Sequence, residues 1–420
     1  MGVGAAGSAD LPEDVVAEMR RIAAQLLGNV SAHADDMFDY ILDRVPAAGA
    51  DDELRGLTLG SCSSNLEAVL SMVRHGIDMS AATAPVTALE HARAMAARGY
   101  SVDVMLRFYR MGHAYFTERI LGRITDLVPD PVLALAVVAD LQRSGFQYID
   151  RISSEVAAEY VAELDRMQNR VRAARTDAVR ALIGGDRIDL ARAERTLSHR
   201  LTGWQTAFVC WTDRDDAELS RVGTAVGAHL GASRPLLVPD GAQTLLGWVS
   251  TSGPPDLASQ ALAALSGEVP DQVRVSLGLP AQGPEGFRAS HAQAQRGRRI
   301  IDLSAATAAV TSYAEVALVD TMSGDLDLAR AFVRSELGAL ALRGRREQEE
   351  RRALLAVLDA QGGLTAAADE LGVHRNTVLQ RVRRAEERRG RAADERVAEL
   401  HAALRIVHVL GDVVLEPDRA

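Results

Sequence analysis

Residues 354–390 read LLAVLDAQGGLTAAADELGVHRNTVLQRVRRAEERRG. Leu354, Leu355 and Leu358 lie on an apolar helix that Gln361-Gly362-Gly363 stops. A short Ala-rich helix over 365–371 follows. Gly372, free to take positive φ, then breaks the chain. A second helix starts at once with Arg375-Asn376-Thr377. Val378, Val382 and Ala385 fall at i, i+4 and i+7 and share one buried face. Asn376, Gln380, Arg383 and Arg384 point the other way, with Thr377 and Arg381 on a flank and His374 at the N-cap. The outward face therefore carries donors, acceptors and fixed positive charge. Asn and Gln pair with adenine edges, and Arg with guanine or phosphate. In a helix-turn-helix the first turns of the second helix enter the major groove. That geometry assigns Arg375, Asn376 and Gln380 to base edges and Arg381 and Arg384 to the backbone, with His374 and Thr377 beside them. The plainer alternative is a helical hairpin with a solvated basic face.

The run Ala366-Ala367, then Leu371-Gly372-Val373-His374-Arg375-Asn376-Thr377-Val378, then Arg381-Val382 resembles the C-terminal domain of the PucR/CdaR family of bacterial transcriptional regulators. Leu379-Gln380 stands where that family often has an aromatic before the Arg, a departure that bears on sequence preference. Residues 391–411, with Leu400, Ala403, Leu404 and Val407, resemble the helix that closes the domain. The resemblance covers roughly 181–410. It implies double-stranded promoter DNA as the partner and, more often than not, activation.

A chain of 420 residues exceeds one ordinary domain. With 47% hydrophobic and 25% charged residues it has the composition of a globular protein, and aromatics at 4% leave the core to Ala, Leu and Val. All 47 basic residues are Arg, a bias we give no functional weight. The net charge of −10 excludes a protein that coats nucleic acid along its length. Arginines nevertheless cluster before the motif (343, 345, 346, 351, 352) and within or after it (375, 381, 383, 384, 388, 389, 391). A basic module on an acidic body suits site-specific binding. Cys62 and Cys210 offer neither a metal spacing nor a disulfide framework, and a reducing cytoplasm is the default location. No signal peptide and no bilayer-length apolar run is evident.

Residues 1–11 are Gly/Ala/Ser-rich and read as disordered. Residues 12–152 read as an all-helical domain: Met19, Ile22, Ala23, Leu26 and Leu27 repeat at helical spacing, as do Leu66, Val69, Leu70 and Val73. The stretch ARGYSVDVMLRFYRMGHAYFTERI, 97–120, resembles the N-terminal domain of RsbR-type stress regulators. That likeness implies a globin-like bundle, usually without haem. His75, His91 and His113 are read as packed or surface residues, so no cofactor and no metal are expected. From 153 to about 185 a helix carries Tyr160, Leu164, Met167 and Val171 at steps of three and four, a heptad seam that suggests a parallel dimer stalk. The plain alternative is a surface helix packed on its own chain.

Over 186–322 the pattern becomes mixed. Strands are expected at 205–211, 236–238, 244–250 and 272–277, with helices at 217–230, 257–265 and 284–301. The span Val273-Arg274-Val275-Ser276-Leu277-Gly278-Leu279-Pro280, with Gly286-Phe287-Arg288-Ala289-Ser290, resembles the GGDEF-like middle domain of the PucR/CdaR family. An active GGDEF domain needs metal-binding carboxylates and a Gly-Gly-acid-Glu turn. Here the turn reads Pro239-Asp240-Gly241-Ala242-Gln243, and the acidic residues Asp213, Asp215 and Asp216 read as turn chemistry. Ser290-His291 is a neighbouring pair, not a triad.

The expected architecture is multidomain and mainly α: an all-α globin-like bundle, a central α/β GGDEF-like domain with a degenerate motif, and an all-α helix-turn-helix domain at 323–411 before a tail at 412–420. The expected function is a cytoplasmic, non-enzymatic regulator of the PucR/CdaR type, a homodimer or higher homo-oligomer binding promoter DNA, with a small-molecule effector or protein partner and no membrane. The rival is a stress-signalling adaptor or scaffold acting through protein contacts. It has no need for Asn376, Gln380 and Arg384 exposed together.

Overall fold

The computed structural model describes residues 12–214, 218–304 and 308–417, apart from the side chains of Ala48, Thr125 and Ser259. The Gly/Ala/Ser-rich start, the last three residues, Asp215 and Asp216 lie outside the described residues. The chain falls into two compact units, Met1–Arg172 and Ala173–Ala420.

The first unit is helical: α1 (Glu13–Leu27), α2 (Val30–Arg44), α3 (Asp52–His75), α4 (Val86–Ala97), α5 (Val102–Tyr115), α6 (Ile124–Leu127) and the start of α7 (Pro131–Gly184). Asp51 caps α3 by accepting from the Leu54 N–H at 2.8 Å, and Gly76 closes it at φ +66°. Ile22, Leu54, Leu70, Met95, Met105 and Ile124 form the buried centre. Gly99 turns at φ +75° before α5, and a π-helical turn follows that helix at Phe116–Ile120.

One expectation changes at α7. This helix starts at Pro131, well before 153, and its face Val137, Leu141, Tyr148, Ile152, Val156 and Tyr160 is buried in the bundle core. Tyr160 is 6% exposed and its hydroxyl donates to the Tyr100 carbonyl at 2.6 Å. It is therefore a core residue of its own chain, and the expected seam loses its first member. Leu164 packs at the edge of the same core, Met167 is half-buried, and Val171 is exposed. The outward apolar residues of α7 are Val132, Leu135, Phe146, Val161 and Val171.

The second unit opens with the end of α7 and α8 (Leu190–Leu197), then a six-stranded sheet. Its strands are β1 (Trp204–Thr212), β2 (Leu236–Pro239), β3 (Thr244–Thr251), β4 (Val273–Leu277), β5 (Ala281–Gln282) and β6 (Val310–Ser312). The order is β2-β3-β1-β4-β6, with β5 also paired to β1; every pairing is antiparallel except β4 with β6. Side chains alternate across the sheet along β1. Ala207, Val209 and Trp211 pack with Val179 and Leu182 of α7 and with Phe287 and Ala294 of α11 (Gly283–Leu303). Phe208 and Cys210 pack on the other face with α9 (Leu219–His229) and α10 (Ser259–Ser266). Covered on both sides, β1 reads as a continuous apolar run. Gly247 is forced by contact: a Cβ there would sit 2.1 Å from the Phe208 ring.

The remaining helices are α12 (Tyr313–Met322), α13 (Leu326–Leu337), α14 (Arg345–Asp359), α15 (Leu364–Leu371), α16 (Arg375–Arg389) and α17 (Val397–Leu410). One hydrophobic core runs from Ile300, Tyr313, Val316 and Val319 through Val333 and Leu354 to Val378, Leu404 and Leu410. The packing does not break at 322: α12 lies directly on α17. Residues 412–417 are also no loose tail. Val414 and Leu415 are buried, and the Glu416 backbone bonds Ala341 and Arg343 at 3.0 and 3.1 Å.

Candidate nucleic-acid interface

α14, α15 and α16 form a three-helix unit closed by α17. Gly362 turns the chain between α14 and α15 at φ +88°. Gly372 closes α15 at φ +63°, and its N–H bonds the Asp369 carbonyl. α16 then presses Val378 (0% exposed), Val382 (8%) and Ala385 (0%) onto α14 and α15. This is the buried face that helical spacing predicts, so the opposite side of α16 is fixed by packing.

His374 is the N-cap of α16. Its Nδ1 accepts from the Asn376 N–H at 3.2 Å, which sets the start of the helix and turns the ring back on the backbone. Arg375, Asn376, Gln380, Arg383 and Arg384 are exposed, and Thr377 is half-buried beside them. Among the described residues Arg375, Arg383 and Arg384 make no ion pair. Arg375 and Asn376 occupy the first turn of the helix and Gln380 the second, with Arg383 and Arg384 further along the side of Asn376 and Gln380.

The other arginines are spent on structure. Arg381 is half-buried and pairs with Glu349 of α14 at 2.8 Å. Arg388 pairs with Glu347, and its Nε lies 2.9 Å from Glu350. Glu350 is close but not aligned for a hydrogen bond, and burial pushes its carboxyl above the usual range despite the nearby guanidinium. Arg389, buried, donates to the carbonyls of Glu336, Ala392 and Glu395 at 3.0, 2.6 and 2.9 Å. Arg351, 6% exposed, donates to the carbonyls of Leu340 and Leu342. Glu336 is 3% exposed and accepts from Arg396 at 2.7 Å, with Arg391 and Arg389 at 3.5 and 3.7 Å. The hydrogen bonds from Arg396 hold its carboxyl below the usual range. Sequence counting missed this division. Its signal was the acidic run Glu347-Gln348-Glu349-Glu350 on α14, two helices upstream.

The β2–β3 turn carries Asp240 and Gly241, whose φ is +81°. Ser290 Oγ accepts from the Ala207 N–H at 2.8 Å and ties α11 to β1. Burial pushes Cys62 and Cys210 up to about 12, so neither is a thiolate at neutral pH. Among the described residues no group of three or more His, Cys, Asp or Glu could hold a metal ion, and no helix is long and apolar enough to cross a membrane.

A glycine-turned helix pair presenting amide and guanidinium groups along one helix defines a helix-turn-helix protein. Three family models match the chain in order: the RsbT co-antagonist protein rsbRD N-terminal domain over 31–175, a GGDEF-like domain over 181–300 and the PucR C-terminal helix-turn-helix domain over 351–406. The chain thus matches an RsbRD-type N-terminal domain, a GGDEF-like domain and a PucR-type helix-turn-helix in turn, and the last match supports a DNA-binding transcriptional regulator. The crystal structure of a regulator of polyketide synthase expression from Bifidobacterium adolescentis is similar at 18% identity and a TM-score of 0.29, over 56% of this chain and 92% of its own. No curated protein matches the chain.

Proposed function

We propose that this chain is a sequence-specific, promoter-binding regulator that works as a homodimer under the control of its N-terminal unit. The observation that carries the reading is that α16 holds Arg375, Asn376, Gln380, Arg383 and Arg384 in solvent while Arg381 and Arg388 are consumed by carboxylates. Arg375, Asn376 and Gln380 read base edges from the first turns of α16, and Arg383 and Arg384 hold phosphates. His374 acts by capping, and Thr377 flanks the reading face. Arg381 positions α16 on α14.

The outward apolar residues Val132, Leu135, Phe146, Val161 and Val171 of α7 support dimerisation along that helix, with Leu164, Met167 and Val171 continuing the seam. Two recognition helices about 34 Å apart, or a multiple of it, would then meet one face of a palindromic operator. Transmission rests on continuity. α7 is a single helix whose Ile152 and Val156 lie in the bundle core and whose Val179 and Leu182 lie in the sheet core. The core from Ile300 and Val316 to Leu404 extends that link to the DNA-binding helices. The GGDEF-like domain relays and does not catalyse, because its turn Pro239-Asp240-Gly241-Ala242-Gln243 lacks the acidic pair that nucleotide cyclisation needs. A bacterial cytoplasm is where such a regulator meets its DNA.

Genome-wide capture of bound DNA from cells expressing the full chain tests this. A palindromic consensus upstream of genes is the expected result. Absence of enrichment at any site, with the protein present and folded, would overturn it.

A further inference from the structure

The first unit holds a cavity among α2, α3, α4, α5 and α7 that DNA binding does not use. It offers about 70 Å³ and is walled by Met37, Ile41, Leu66, Val69, Phe108 and Phe116 among others. One water needs about 10–15 Å³ of such space, so a molecule of roughly five to seven heavy atoms would fill it. A porphyrin would not enter.

One polar group in the wall stands apart. His91 is 1% exposed, and neither of its ring nitrogens has a hydrogen-bond partner among the described residues. Its polar neighbours are engaged: the Asn65 amide donates to the Ser61 carbonyl at 2.8 Å and accepts from the Tyr148 hydroxyl at 2.9 Å, and the Tyr109 hydroxyl donates to the Ala88 carbonyl at 3.4 Å. A buried polar group left unpaired is costly, so it calls for an explanation. Burial lowers His91 to about 4, which leaves a neutral imidazole with one donor and one acceptor nitrogen. The ring is held in place by Phe108, edge-on at 5.1 Å between centroids, and by Tyr109 at 6.5 Å.

We propose that this cavity binds a small neutral aromatic molecule bearing one hydroxyl, with the hydroxyl bonded to His91 and the ring among Phe108, Tyr109, Phe116 and Tyr148. Neutrality follows from the wall, which has no counter-charge for an ion. The aromatic ring follows from the rings of Phe108, Tyr109, Phe116 and Tyr148 in the wall. A hydroxyl both donates and accepts, and so can satisfy whichever imidazole nitrogen faces it. This deepens the effector-controlled reading above and rests on it for its biological sense, but binding itself is measurable without DNA.

The test is ligand-observed NMR on the full chain, with phenol, benzene and benzoate as probes. Saturable binding of phenol, about tenfold tighter than benzoate, is expected. His91→Leu should weaken phenol about five- to tenfold, the worth of one hydrogen bond, and leave benzene unchanged. Retained benzene binding in that variant shows that the cavity still forms. Gly112→Leu should abolish binding of both, because a Cβ at Gly112 already contacts the wall residues Met37 and Ile41 at 3.6 and 3.9 Å and the added carbons grow into the space. Absence of saturable phenol binding by the wild-type chain, or phenol binding unchanged in both folded variants, overturns the proposal. Phenol binding that leaves DNA affinity unaltered sustains the cavity assignment and counts instead against effector control.

Discussion

The arginines of α16 do two kinds of work. Arg375, Arg383 and Arg384 stand in solvent with Asn376 and Gln380. Arg381 and Arg388, one turn before and after Arg384, meet Glu349, Glu347 and Glu350, and Arg389 is buried among backbone carbonyls. Residue type and spacing are the same; the difference lies in what the neighbouring helix presents. A guanidinium facing carboxylates is already neutralised and releases no counterion from DNA, whereas one facing water can. The basic cluster in the sequence therefore overstates the binding surface, and the acidic residues of α14 define its edge.

The comparison breaks most visibly at the buried side. Glu336→Ala would leave Arg389, whose side chain is fully buried, without the carboxylate 3.7 Å away, and breaking a buried pair costs about 3–5 kcal/mol. Thermal unfolding should show a large loss. Because the folded carboxyl lies below its ordinary value, its contribution is present above the unfolded pKa and is lost as pH falls through the folded value. Acid unfolding of Glu336→Gln should accordingly be the less steep.

On the exposed side Asn376→Ala should cost about 1–3 kcal/mol of specific binding and relax preference at one operator position, with melting unchanged. Fluorescence anisotropy on the selected site and its single-base variants measures both. At the turn between the helices, Gly372→Ala forces a side chain to φ +63° and should lower stability by roughly 1 kcal/mol. Denaturant unfolding reads that loss directly.

The smallest effect sharpens the boundary. Arg381→Ala removes a partly exposed pair worth under about 1 kcal/mol and should leave the salt dependence of DNA binding unaltered. Arg384→Ala should reduce the slope of log affinity against log salt by about one. Equal slopes for the two variants would place Arg381 back on the phosphate face.

Much of this was legible in the sequence, for local reasons. Gly372 and the spacing of Val378, Val382 and Ala385 depend only on the chain's own period and on left-handed backbone. The strands β1 to β4 announced themselves through apolar runs between turns. What escaped depends on packing between elements. Three residues, Val310–Ser312, are too short to show alternation, yet they form β6 beside β4. The steps through Tyr160, Leu164, Met167 and Val171 fit a helix packed on a second copy or on its own bundle equally well, and for Tyr160 the bundle wins. The pairing of Arg381 with Glu349 joins positions on different helices, which no single-helix pattern contains.

The most direct measurement is selection of binding sites from a random duplex library, with the wild-type chain and Asn376→Ala in parallel at fixed salt. The account predicts an inverted-repeat motif for the wild type and a loss of preference at one position of each half-site in the variant. An identical motif recovered with equal affinity by both proteins would contradict it.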